Sequence, residues 1–161
     1  MIEALVFLIA VTPICVFAAQ SDLRFMVIPN WVSLALVAVF CVLGLIFLPI
    51  NVIGWQLLGG FIVLAVGFVL NAFGFVGGGD VKFLAGLAPF VTHREIPPFL
   101  LILSACMLVT LALHRVAGRI PAVRRATPNW KSWSAGRHFP LGISIALAGI
   151  IYLAMRVVNA G

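Results

Sequence analysis

Two aspartates are the side chains in this 161-residue chain best suited to chemistry: Asp22, in Ser21-Asp22-Leu23-Arg24, and Asp80, in Gly77-Gly78-Gly79-Asp80-Val81-Lys82. The only other acids are Glu3 and Glu95. Each aspartate follows an apolar run, where a membrane segment would meet water. Carboxylates are expensive in so apolar a chain and are rarely accidental. Two of them brought to one face could share a proton. One would take a proton from water as it attacks a peptide carbonyl, and the other would donate to the carbonyl oxygen and then to the leaving amine. That is aspartic-protease chemistry. It requires no metal, organic cofactor or side-chain nucleophile.

The neighbours of each aspartate suggest how it is held. Asp22-x5-Ile28-Pro29-Asn30 reads as helix, short turn, helix. Asp22 is expected just past the first helix, with Pro29 in the first turn of the second, where its missing N–H is not needed. Gly77, Gly78 and Gly79 are expected to permit positive φ and the close approach of another backbone. Asp80 then opens a helix and could cap it; a solvated loop acid at Asp22 and a simple cap at Asp80 are the plain alternatives. Lys82 reads as an ion-pair partner or as a residue that only marks the cytoplasmic side. Pro140 and Gly142 open the last helix and suggest close packing there. Helix-end electrostatics disfavour a carboxylate at Asp22 and favour one at Asp80, so the shared proton is expected on Asp22, with Asp80 as the base.

The elements that must carry these residues are membrane helices. The composition is 64% hydrophobic and 9% charged, against about 45–50% and 25% for soluble domains. Six apolar runs can be marked, roughly Ile2–Ala19, Trp31–Leu48, Val52–Phe75, Phe83–Thr92, Ile96–Leu113 and Phe139–Val158. Five approach the ~17–25 residues that span a bilayer. The fourth is short; it spans only if its helix begins near Asp80 and continues past Thr92, and a re-entrant half-helix is the alternative. The first run has Glu3 and no Lys or Arg before it, so it reads as a retained helix rather than a cleaved signal.

Orientation follows from the basic residues. With the N-terminus outside, Arg24, Lys82, Arg115, Arg119, Arg124, Arg125, Lys131 and Arg137 are cytoplasmic, eight of the ten Lys and Arg. Arg94 and Arg156 stay outside. The expected fold is therefore an all-α integral membrane protein, a single domain over 1–161. It has about six transmembrane helices, both termini outside and both aspartates at the cytoplasmic face. The basic stretch 115–138, with Trp130 and Trp133, is its one long polar loop and suits the interface of an anionic membrane. The net charge of +6 points to membrane orientation and not to nucleic acid. Cys15, Cys41 and Cys106 read as packing residues, and His93, His114 and His138 have no metal-ligand spacing.

Asp22 with Ile28-Pro29-Asn30, then Gly77-Gly78-Gly79-Asp80-Val81-Lys82, resembles the type IV prepilin peptidases, membrane aspartic proteases with a GxGD motif. His138-Phe139-Pro140-Leu141-Gly142 is a weaker match, similar to a proline–glycine motif in that family's last helix. The size is similar to the short form that serves tight-adherence (Flp-type) pili. The resemblance implies Asp22 and Asp80 as the catalytic pair, with Gly77, Gly78, Gly79, Lys82, Pro140 and Gly142 placing the substrate. It implies a prepilin substrate with a basic leader and an apolar helix, no cofactor, and a multi-pass place in the bacterial inner membrane. Members that also N-methylate carry a cytoplasmic insert with paired cysteines. This chain lacks both, which argues against methylation. The alternative is a small proton-coupled transporter using the same two carboxylates as relays, although relay acids would be expected nearer mid-membrane.

Overall fold

The structure is a computed structural model that describes residues 2–134 and 139–159. Seven helices form it: α1 (Ile2–Phe25), α2 (Asn30–Phe47), α3 (Ile50–Ala72), α4 (Gly78–Leu87), α5 (Ile96–Ala117), the short α6 (Pro121–Ala126) and α7 (Leu141–Asn159). Short 3₁₀ turns follow α4 at Ala88–Phe90 and precede α5 at His93–Glu95. Among the described residues, five helical segments are long and apolar enough to cross a membrane: α1, α2, α3, α5 with the turn before it, and α7. The expected all-α membrane character is present.

The helices pack as their sequence periods dictate. In α1 the buried residues are Ala4, Phe7, Val11, Cys15, Ala18, Ser21 and Asp22. Steps of three and four keep them on one face of a 3.6-residue helix. That stripe lies mainly against α7, the most buried of the five long helices. Phe7, Phe40 and Phe90 meet with centroids 5.3–6.3 Å apart and join α1, α2 and the turn after α4. Across α5 and α7, Thr110 and Ser144 share a hydrogen bond of 2.6 Å. Large side chains such as Leu34, Leu45, Phe61 and Leu108 point outward, as the apolar bilayer allows.

The fourth apolar run differs from its expectation. Its helix starts at Gly78 and ends at Leu87, covering only about 15 Å at 1.5 Å per residue. The 3₁₀ turn and an extended Val91 then carry the chain onward. Thr92 donates its N–H to the Tyr152 hydroxyl at 3.3 Å, which places it at the end of α7. The segment therefore runs from the Asp22 end of the bundle to the Glu3 end, although its α-helix alone is too short to do so.

That far end holds a polar cluster, which the sequence did not suggest. Thr92 and Tyr152 both donate to the Glu95 carboxylate. Arg156 approaches Glu3 at 3.5 Å and Glu95 at 3.8 Å. The cluster ties the start of α1, the start of α5 and the end of α7. Tyr152 is buried and hydrogen-bonds a charged group, so Tyr152→Phe is expected to lower stability by about 1.5–3 kcal/mol. The half-exposed ion pairs are worth only about 0–1 kcal/mol, so Arg156→Ala is expected to do less harm. Thermal unfolding in detergent checks the order; an equal or larger loss for Arg156→Ala would contradict it.

The basic stretch 115–138 is folded over the opposite end as far as Ser134; residues 135–138, including Arg137 and His138, lie outside the described residues. Trp133 stacks on His114 at 4.7 Å and on Trp130 at 5.8 Å, and its indole N–H donates to the Thr127 carbonyl at 3.1 Å. Arg24, Phe25 and Trp130 line one hollow, so this stretch reaches the last turn of α1, beside Asp22. At the other end His93 stands edge-on to Trp55, 6.3 Å away. Cys15 and Cys106 are buried packing residues.

Candidate active site

Asp22 is not past the first helix. It lies in the last turn of α1, in register with the buried stripe, and is 5% exposed. The helix stops three residues later. Met26 adopts φ 56°, a left-handed conformation unfavourable for a residue with a Cβ, and its N–H closes onto the Asp22 carbonyl at 2.8 Å. Ser21 Oγ donates to the Val27 carbonyl at 2.8 Å. This turn throws the chain back, and Ile28 becomes buried. Pro29 precedes α2 as its N-cap residue instead of lying in its first turn.

Ile28 explains the five-residue gap after Asp22. A Cβ built at Gly142 would stand 2.8 Å from Ile28 Cδ1, and one at Gly79 would stand 3.5 Å from Ile28 Cβ. Ile28 is thus held between the starts of α7 and α4. The Gly142 N–H donates to Asp22 Oδ2 at 2.7 Å. It is one of the free N–H groups at the start of α7, and the Asp22 carboxylate satisfies it.

Asp80 is the third residue of α4, and Gly77 is the N-cap residue. The Asp80 carboxylate folds back toward that start, and a Cβ at Gly77 would stand 2.7 Å from Oδ2. It makes no side-chain capping bond at the helix start. The three glycines have negative φ; the left-handed glycine is Gly74, at φ 77°. Their use is therefore space and not the positive φ expected of them. The need is steric at Gly77, whereas added Cβ atoms at Gly78 and Gly79 would meet only ordinary contacts at 3.5–3.6 Å.

Ile28 links the two aspartates, meeting Gly142 beside Asp22 and Gly79 next to Asp80. Asp80 also faces a cavity of about 180 Å³ whose other walls, including Val63, Leu103 and Ile145, are mostly apolar. Asp22 is not in that cavity wall. The two aspartates, Ile28, Gly77, Gly79 and Gly142 therefore form one cluster, with Pro140 buried just before Leu141. Lys82 does not join it as an ion-pair partner. Its ammonium donates to Asn30 Oδ1 at 2.9 Å and fastens α4 to the start of α2.

One helix-end expectation fails. Asp22 does lie at the negative end of α1, in its last turn, but it also meets the positive end of α7, 120 residues away in sequence. The hydrogen bond from Gly142 favours an ionised Asp22, while Asp80 has no such donor from its own helix end. The basis for placing the shared proton on Asp22 is thereby removed.

Two asparagines make contacts that the sequence did not indicate. Asn71 Nδ2 donates to the Val76 carbonyl at 2.7 Å and shapes the approach to Gly77. Asn30 receives Lys82. Asn71 had a signal, being a polar residue within an apolar run.

The family model for the type IV leader peptidase family matches residues 9–113, well over half of the chain and inclusive of both aspartates. The match ends before α7, so the Gly142 contact lies outside it. No curated protein and no solved structure matches the chain.

Proposed function

Because this chain belongs to the type IV leader peptidase family, we propose that it is a membrane aspartic endopeptidase that removes the basic leader of type IV prepilins at the cytoplasmic face. The observation that carries this reading is the meeting of the Asp22 and Asp80 segments around Ile28. Two neighbouring carboxylates cannot both ionise easily. Asp22, bonded to the Gly142 N–H, is the ionised member and Asp80 holds the proton. A water oxygen attacks the peptide carbonyl carbon while Asp22 takes its proton and Asp80 donates to the carbonyl oxygen. The tetrahedral intermediate collapses as Asp22 protonates the leaving amine, the C–N bond breaks, and a hydroxyl proton returns to Asp80. Transport gains no support here, since both carboxylates stand at helix ends and the family is one of peptidases.

Six crossings with both termini outside fit the distribution of charge. Arg24, Lys82, Arg115, Arg119, Arg124, Arg125 and Lys131 cluster at the aspartate end, while Arg94 and Arg156 stand at the other. The positive-inside rule then favours cytoplasmic aspartates in a bacterial inner membrane. The basic stretch would repel a basic leader and suits anionic lipid. Flp-type substrates and cleavage without N-methylation belong to the same reading, resting on the motif resemblance and on the lack of a CxxC pair within residues 1–161.

Co-expression with a candidate Flp-type prepilin, followed by a gel shift, tests the activity. Loss of the leader is expected, and an intact prepilin at normal enzyme levels would refute the reading. Orientation has its own test in a cysteine-free background. Asn51→Cys is expected to react with an impermeant thiol reagent in intact cells, and Ala126→Cys only after permeabilisation. The reverse pattern would put the aspartates on the wrong face.

A further inference from the structure

We propose that the lateral cleft between α3 and α5 is the docking groove for the transmembrane helix of the peptide substrate, with its scissile end against Asp80. The proposal rests on the peptidase reading above. α3 packs on α4 and α5 packs on α7, but α3 and α5 are not packed against each other. The space between them consists of two cavities, of about 380 Å³ and about 180 Å³, which share Val63 and Leu84 as walls. They form one trough floored by α4. It begins at Asp80 and ends at Gln56 and His93. From Gly67 to Gln56 along α3 is about 16 Å, or three helical turns. Gly59 lines the longer cavity, and a Cβ there would meet nothing within 4 Å. A small residue on a membrane-facing wall lets a second helix approach closely.

An acyl chain could also lie in an apolar trough, but two features favour a peptide. The trough opens directly onto the carboxylate that must meet the scissile bond. At its other end Gln56 is 5% exposed, and its Oε1 has no hydrogen-bond partner. A buried amide oxygen needs a donor, which an acyl chain lacks and which a polar side chain on the substrate helix supplies about three turns from the cut. The groove between α2 and α3 is of similar size, about 410 Å³, but Asp80 is not in its wall. It serves as the internal control.

Photo-crosslinking reads the docking site. A photoreactive amino acid is placed at Gly59, at Leu100 on the facing wall, or at Leu34 in the control groove, in an Asp80→Asn background co-expressed with a Flp-type prepilin. Adducts with prepilin are expected at positions 59 and 100 but not at 34. Adducts at 34 alone, or lipid adducts at 59 with none to prepilin, overturn the proposal. A second arm uses active enzyme. Gly59→Trp, at a position where an added Cβ meets nothing within 4 Å, fills the trough and is expected to raise KM for full-length prepilin about ten-fold or more relative to Leu34→Trp. An equal KM for the two variants overturns the proposal. If wild-type enzyme cleaves no prepilin, the peptidase reading fails by itself, and the adduct positions still decide where the helix docks.

Discussion

Asp22→Asn and Asp80→Asn are each expected to reduce prepilin cleavage by a factor of about 10²–10⁴, the usual contribution of a positioned acid or base. Each substitution keeps the shape of the side chain. In Asp22→Asn the amide oxygen can still accept the Gly142 N–H, so the bond seen at 2.7 Å should survive and the protein should still insert. What is lost is the ability to exchange a proton with water, with the peptide or with the other carboxylate. Quantitative immunoblotting of prepilin and mature pilin, at matched enzyme levels, measures the effect. Cleavage at the wild-type rate by either variant would end the assignment of a shared-proton pair.

Gly142→Ala is expected to lower cleavage by a factor on the order of 10², the loss that a misplacement of about 1 Å can cause. The new methyl group would stand 2.8 Å from both Asp22 Oδ2 and Ile28 Cδ1, and 3.1 Å from Asp22 Cβ. Something must move, and Asp22 is held on a short side chain with little freedom. Overpacking of this kind typically costs about 1–3 kcal/mol, so the variant should still fold in a stable bundle. Adding Ile28→Val removes one of the two colliding atoms and should recover part of the activity. Gly54→Ala, where a Cβ meets open space, should behave as wild type. If Gly142→Ala cleaves as fast as Gly54→Ala, the contact between α7 and Asp22 has no part in positioning the carboxylate.

Much of this protein is determined locally. Long apolar runs have few ways to satisfy their backbone other than as helices, and α1, α2, α3, α5 and α7 fall on the runs marked in the sequence. The steps of three and four from Ala4 to Asp22 are also present in the sequence. They place Asp22 on the buried face once α1 is known to reach Phe25. The family likeness is likewise carried by short motifs, and the match over residues 9–113 agrees with it.

What the tertiary structure decided depends on contacts between distant segments, which no local period records. Gly142 meets Asp22 across 120 residues, and that single hydrogen bond removes the helix-end reason for placing the proton on Asp22. Gly77 is needed for the room it leaves Asp80, a matter of side-chain direction and not of backbone freedom. Lys82 has several possible partners in sequence, and only the packing of α4 on α2 selects Asn30. The cluster around Glu95 arises because a 10-residue helix, a turn and an extended link together span the bundle. Hydrophobicity alone dictates that these segments be buried, but the approach of their backbones dictates which polar atoms meet.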